Sequence, residues 1–451
     1  MKRSYALIFI LFIGLNVFPK ERVFQLPKIE PSDLSVMTCP IDSSAPAQIL
    51  YDIGEIKFVE NNGINFILKK TTRIQILNKN GYGYATIKIP YRYGDKSEEQ
   101  IIAFSATSYT EENGEIITET ASKKDLFEED INEWWKRKKY AFLKVKEGTV
   151  IEYTYEILSP NNFHLPKWFF QYEIPVIKSQ FKISLCPFYN YIVLKSGFLE
   201  YDFDTVYTKP FSFRYLTGNY PTRVYEWELN NVPAFNEENF ITSAEDYRMK
   251  VVFQLESFNK YNGEVQEIIT TWKDLIDELD EYADFGTYIQ SNKKETQAII
   301  ESLSLEGKTD YQKMDTILYY VKNNYYWNNY LGGWATQTKK EFLESKTGNS
   351  GDINLFLHSL LIEAGVNSSP LLISTREHGK VFYDYPFLNL FNYVAVVVED
   401  GIFTYMLDAT NPLLPLGLLP HKCINEYGLQ IKKVEDKSAL MTHSLILSGI
   451  L

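Results

Sequence analysis

Ser350 is the residue of this chain best placed to act as a nucleophile. It stands in Gly348-Asn349-Ser350-Gly351-Asp352, ahead of an apolar stripe through Ile353, Phe356, Leu357, Leu360, Leu361 and Ala364 that stops at Gly365. That spacing predicts a helix beginning near Ser350, with Gly365 as its C-terminal glycine. In the helical rows Ser350 aligns with Ile353 and Leu357, so its side chain is expected to face the sheet rather than solvent. A helix start offers free N–H groups and the positive end of the dipole, which suit an anion or a nucleophile. The plainer role for Asn349 or Ser350 is an N-cap, with Asp352 favouring the dipole in the first turn. Asp408, in Leu407-Asp408-Ala409-Thr410-Asn411-Pro412, is a carboxylate closing a strand, or simply the opening of an Asx turn before Pro412.

Other chemistries find little support. The three cysteines, Cys39, Cys186 and Cys423, are far apart and form no CxxC pair, and their odd number excludes a complete disulfide framework. The five histidines, His164, His358, His378, His421 and His443, show no HExxH or His-x-His spacing. A zinc site is therefore not expected, nor any other metal or cofactor. No GxxxxGK[ST] loop occurs, and Gly332-Gly333 is too short a signal to read as a phosphate cradle. Lys+Arg 46 against Asp+Glu 58 gives a net charge of −12, which lacks the electrostatic footprint of a nucleic-acid binder.

The elements that must position Ser350 and Asp408 fall into two halves. The length of 451 residues is about three domains' worth at ~150 residues each. Lys2-Arg3 precede an apolar run from Tyr5 to Phe18, which predicts a signal peptide over 1–20 and export to the periplasm or cell envelope. Membrane association is expected only if that N-terminus stays uncleaved. Residues 21–47, with Pro27, Pro31, Pro40 and Pro46, read as an extended lead-in. From 48 to 240 the period is two, as in Arg73-Ile74-Gln75-Ile76-Leu77 and Thr149 to Tyr155, with turns at Asn61-Asn62-Gly63 and Glu112-Asn113-Gly114. Short strands with short turns predict a two-sheet antiparallel β-sandwich.

A connecting segment over 241–290 is expected next, then an α+β unit over 291–420 and a tail over 421–451. Helices are predicted at Thr271 to Leu279, at Lys293 to Leu303, and from Asp310 as N-cap through Val321. Strands are predicted at Pro370 to Thr375, Phe391 to Val398 and Ile402 to Leu407, the second apolar on both faces and so central.

This order, a helix opening on a nucleophile, a central strand, then a strand ending in Leu-Asp-x-Thr, resembles the transglutaminase-like core of the papain-type cysteine protease fold. The resemblance rests on Gly348-Asn349-Ser350-Gly351-Asp352, Phe391-Asn392-Tyr393 and Leu407-Asp408-Ala409-Thr410. The first half is similar to the DUF3857-like β-domain that precedes such cores in Bacteroidetes envelope proteins. That likeness is carried by Val145 to Tyr153, Trp168-Phe169-Phe170-Gln171, Ile174-Pro175-Val176 and Val232-Pro233-Ala234-Phe235. The fold implied is α+β, an N-terminal antiparallel β-sandwich domain followed by a transglutaminase-like domain. The resemblance implies a Cys, His, Asp triad at Ser350, Tyr393 and Asp408, of which only Asp408 keeps its type.

A serine hydroxyl needs a base within reach, and tyrosine, with an ordinary pKa of about 10, is a poor one at neutral pH. Loss of one member of a cooperative triad removes on the order of 10⁴ or more in rate. The expectation is thus an exported pseudoenzyme that binds a peptide, glycan or envelope protein, with Ser350 and Tyr393 facing each other across an inactive cleft. Two alternatives stand beside it. One is a serine-variant amide hydrolase or acyltransferase that recruits His378, on a loop, as its base. The other is a carbohydrate-binding or interaction module with Trp134, Trp135 and Trp168 as a stacking platform. The neighbouring run Lys136-Arg137-Lys138-Lys139 reads as a solvated face.

Overall fold

A computed structural model describes residues 26–432 except 95–97, 133, 237–243, 261–262, 269–270, 382–385 and 426. The expected signal peptide over 1–20 and the part of the expected tail beyond residue 432 lie outside the described residues.

Period-two patterning produces one large sheet and two small ones rather than a pair. The eight-stranded sheet runs, in spatial order, Phe203–Tyr215, Gly218–Val232, Val176–Leu185, Ala47–Glu60, Ile64–Ile76, Val150–Ser159, Gln100–Glu112 and Glu115–Ser122. Adjacent strands are antiparallel except Ala47–Glu60 beside Val176–Leu185, which pair parallel in the register Ile53 with Gln180. The expected all-antiparallel, two-sheet sandwich is corrected on both counts. Alternation fixes which face a residue takes; it carries no information on the direction of a neighbour that arrives more than a hundred residues later. The hairpin signals did place turns: Asn62 and Gly63, and likewise Asn113 and Gly114, have positive φ, as tight hairpins between twisted strands require.

A second sheet joins Tyr189–Ser196, Lys250–Asn259 and Val265–Glu267, with Trp168–Phe169 also pairing on Lys250–Asn259. The β half therefore runs past residue 240 and takes in the first part of the expected connecting segment. The third sheet, Thr86–Arg92, Trp135–Ala141 and Phe127–Asp130, explains the basic run. Lys136, Arg137 and Lys138 lie directly opposite Asp130, Glu129 and Glu128. Lys136 bonds Glu128 at 3.1 Å, and Arg137 and Lys138 are paired to Glu129 and Glu128. Of the proposed stacking platform, Trp134 and Trp135 are exposed, but Trp168 is buried and stacks on Phe181 with centroids 4.9 Å apart. Indole area of that size is removed from water to fill the core, so the three rings form no common platform. The lead-in is packed too: Arg73 donates to the Pro27 carbonyl at 2.8 Å, and Leu34 and Cys39 are buried.

The second half has its own core. Helices Trp272–Glu281, Gly286–Gln290, Lys293–Ser302, Asp310–Asn324, Lys339–Ser345 and Ser350–Glu363 accompany a four-stranded antiparallel sheet. That sheet is ordered Phe403–Leu407, Tyr393–Asp400, Ser368–Ile373, Gly428–Gln430. Residues 428–430 thus complete the sheet and are no part of a free tail. Tyr393–Asp400 is interior and apolar on both faces. The long helix expected to start at Asp310 is capped one residue earlier, because Thr309 accepts from the Gln312 N–H in a capping box that Gln312 closes. The Ser350–Glu363 helix is buried from Ser350 to Leu361, with Phe356 against Tyr325 and Phe342 at centroid distances of 4.8 and 5.5 Å.

Candidate functional site

Asn349, not Ser350, caps the central helix. Its side chain accepts from the Asp352 N–H at 2.8 Å, and the Asp352 carboxylate accepts from the Asn349 N–H at 3.0 Å. The same carboxylate takes the Thr336 N–H and hydroxyl, each at 2.9 Å, and the Gln337 N–H at 3.2 Å. A buried charge is held here by donors on every side, which is the condition for keeping it in a core. It ties the loop over 332–337 across the helix start. Gly351 permits this crossing, since a Cβ there would lie 1.9 Å from the Trp334 carbonyl oxygen.

Under that loop Ser350 is wholly buried. Its hydroxyl donates to the Gly332 carbonyl at 2.9 Å and accepts from the Gly332 N–H at 2.8 Å. Donor and acceptor are both committed to backbone. The adjoining Gly333 backbone passes over the Tyr393 strand, where a Cβ on it would sit 3.9 Å from the Tyr393 nitrogen.

Asp408 ends the Phe403–Leu407 strand and is buried. One oxygen accepts from the Thr410 N–H at 2.9 Å and hydroxyl at 2.5 Å, the Asx-type turn expected from its sequence. The other accepts from Tyr393 Oη at 2.5 Å and from Asn354 Nδ2 at 2.9 Å. Burial, then the Asp408 charge, pushes the Tyr393 phenol well above its ordinary range. It stays protonated at neutral pH and serves as a donor.

The structure thus brings Tyr393 and Asp408 into direct contact. Ser350 spends its hydroxyl on Gly332, and it is Asn354, one turn further along the same helix, that reaches Asp408. Asn354 donates to the Val394 carbonyl and to Asp408, and accepts from the Ala409 N–H. His378 goes elsewhere: its Nδ1 is 3.2 Å from Ser374 Oγ, and it lines a cavity shared with the β half. Burial pulls its pKa down to about 4.

Sequence reading missed three neighbours of this site. Asn354 was visible as a lone amide in an apolar helix. Cys423, isolated from the other cysteines and more than seventy residues from Ser350 in sequence, is buried beside Tyr393 and Asp408. Burial, then the Asp408 charge, raises its thiol pKa, so it is no ready thiolate. Lys422 sets its ammonium 3.8 Å over the Trp327 ring and 5.5 Å from that of Tyr393, a placement no local signal announces. Among the described residues no group of three or more His, Cys, Asp or Glu side chains is arranged to hold a metal.

Comparison with known proteins agrees with the β half. Residues 68–236 match a family described as a Domain of Unknown Function with solved-structure structure, DUF3857. No curated protein matches the chain. Among solved structures the chain is similar to a "putative protease" from Parabacteroides distasonis. That likeness has a TM-score of 0.56 and 15% identity, and covers 81% of this chain and 67% of the other. At that identity the likeness concerns the fold. A "putative nutrient binding protein" from Legionella pneumophila also aligns, at 8% identity and a TM-score of 0.21, over 71% of this chain and 94% of that one. The second likeness carries no argument.

Proposed function

We propose that the chain is an exported binding protein of the cell envelope. In this reading its second half is a transglutaminase-like core whose nucleophile and base positions are Ser350 and Tyr393, and it turns over no substrate. Its partner is a peptide, a glycan or another envelope protein. The observation that carries the reading is the saturation of Asp408. Four donors, Thr410 N–H, Thr410 hydroxyl, Tyr393 hydroxyl and Asn354 amide, occupy both carboxylate oxygens. In a working triad that carboxylate orients an imidazole, which in turn takes the nucleophile's proton. Here it receives a phenol that holds its own proton.

The serine-enzyme alternative has less in its favour. The Ser350 proton is donated to a backbone carbonyl, and the hydrogen bond made by His378 goes to Ser374. Neither arrangement supplies a base at the hydroxyl. The test is a pair of assays on purified protein: release of a fluorophore from peptide amides, and incorporation of a fluorescent primary amine into casein. Both are expected to match a Ser350→Ala background. Turnover that exceeds this background and depends on Ser350 would reject the reading.

A further inference from the structure

The cavity that His378 lines is the most chemically furnished space outside the Ser350 region. It encloses about 590 Å³ between the β half and the second half. Its β wall includes Trp168, Phe169 and Tyr172, and its other wall includes His378, Lys380 and Phe387. The volume lies within the roughly 300–1,000 Å³ of small-molecule sites, which are mostly apolar with a few fixed polar groups.

Its charge is unbalanced in an acidic chain. Lys70, Lys167, Lys250 and Lys380 line it against two carboxylates, Glu99 and Asp246. Two of these cations are answered locally. Lys70 lies 3.2 Å from Asp52 and 3.0 Å from the Tyr172 hydroxyl, and Lys167 bonds Glu245 at 3.1 Å. Lys250 differs. Its side chain is 5% exposed; of the carboxylates near it, Glu245, at 3.7 Å, is already held by Lys167, and Asp246 adds a second negative charge. A buried ammonium that shares its ion-pair partner with a second lysine still carries a burial penalty, and a ligand anion would offset it. The burial penalty is visible in its pKa, pulled down to about 8. Even so, at pH 7 Lys250 is mostly charged.

We propose that this cavity binds a small organic anion, a carboxylate or phosphate head on an aromatic body, with the head at Lys250 and the ring among Trp168, Phe169 and Phe387. The head gains a charge-assisted hydrogen bond in a place of low water access, and the ring gains the apolar walls. Because the two walls come from different halves of the chain, the ligand would also fasten them together. The inference goes beyond the function proposed above and does not depend on it: Ser350-dependent turnover would reject that reading and leave this one standing.

The test uses the full chain, calorimetric titration and three probes: indole-3-acetate, phenyl phosphate and neutral benzyl alcohol. At least one anionic probe is expected to bind saturably, about tenfold or more tighter than benzyl alcohol, and to weaken with added salt. The arms with indole-3-acetate and phenyl phosphate separate a carboxylate site from a phosphate site. Lys250→Met is expected to weaken the anion by about tenfold or more, with Lys250→Arg retaining part of the affinity. Should Lys250→Met fail to fold, Lys380→Ala, at a half-buried position of the opposite wall, is expected to show the smaller loss. Equal affinity for neutral and anionic probes, no saturable anion binding up to on the order of 10 mM, or affinity unchanged in the folded lysine variants would overturn the proposal.

Discussion

At the scale of single residues, the second half of this chain spends its polar groups on structure. Tyr393→Phe removes one donor from Asp408 and leaves three, so it should destabilise by about 1–3 kcal/mol in urea unfolding, the range for a buried hydrogen bond to a charged group. A change within about 0.3 kcal/mol would mean the hydroxyl is not bonded in solution. Ser350→Ala should cost about 1–2 kcal/mol, because it leaves the Gly332 N–H and carbonyl without their partner. His358 adds a pH-dependent contribution. It is buried in the central helix, its Nδ1 is 3.0 Å from Ser368 Oγ, and burial, with the nearby Lys339 charge, pulls its pKa down to about 3. The folded state therefore holds the neutral ring, while the unfolded chain binds a proton near pH 6.5. Its favourable contribution is complete above about pH 6.5 and is lost as the pH falls toward 3. Between pH 7.5 and pH 5, wild type should lose about 2 kcal/mol more than His358→Asn. Equal losses would contradict the burial of the neutral imidazole. What was legible at this scale was local: Asp408 as an Asx-turn opener, Asp352 in the first turn. Cys423 and Lys422 were not, because their meeting with Tyr393 depends on the path of the chain after residue 408.

Among the elements, the Ser350–Glu363 helix organises the second half. Its length could be read from its stripe and from Gly365, whose φ of +75° provides the turn. Its depth could not, because Asn354, His358 and Ser359 look like a polar face. Each is satisfied within the fold: Asn354 by Asp408 and the 394 and 409 backbone, His358 by Ser368, and Ser359 by the Leu355 carbonyl. Phe356→Ala should cost about 3–5 kcal/mol, given full burial between Tyr325 and Phe342. A loss below about 1 kcal/mol would place the helix at the surface. In the β half, strand existence and hairpin turns followed from local pattern. The parallel pairing of Ala47–Glu60 with Val176–Leu185 did not, since the partner is brought by the chain between them. The same reason extends the β half to the strand at Lys250–Asn259, whose partner is Tyr189–Ser196.

For the molecule as a whole, two cores meet at a cavity, and the positions that resemble a catalytic triad lie in the interior of one of them. Ser350 and Tyr393 are 0% exposed and Asp408 is 1% exposed, so a substrate carbonyl has no approach to the serine without displacing the Gly332–Gly333 backbone. On the proposed reading that burial, more than the residue types, closes the serine to acyl transfer, and sequence spacing alone could not reveal it. The direct measurement is intact-mass analysis after incubation of the folded protein with an excess of a fluorophosphonate probe, with peptide mapping of any adduct. The account predicts no modification at Ser350 and the same spectrum for wild type and Ser350→Ala. A single adduct on Ser350, formed by the folded wild type and absent from Ser350→Ala, would contradict it and identify an activated serine.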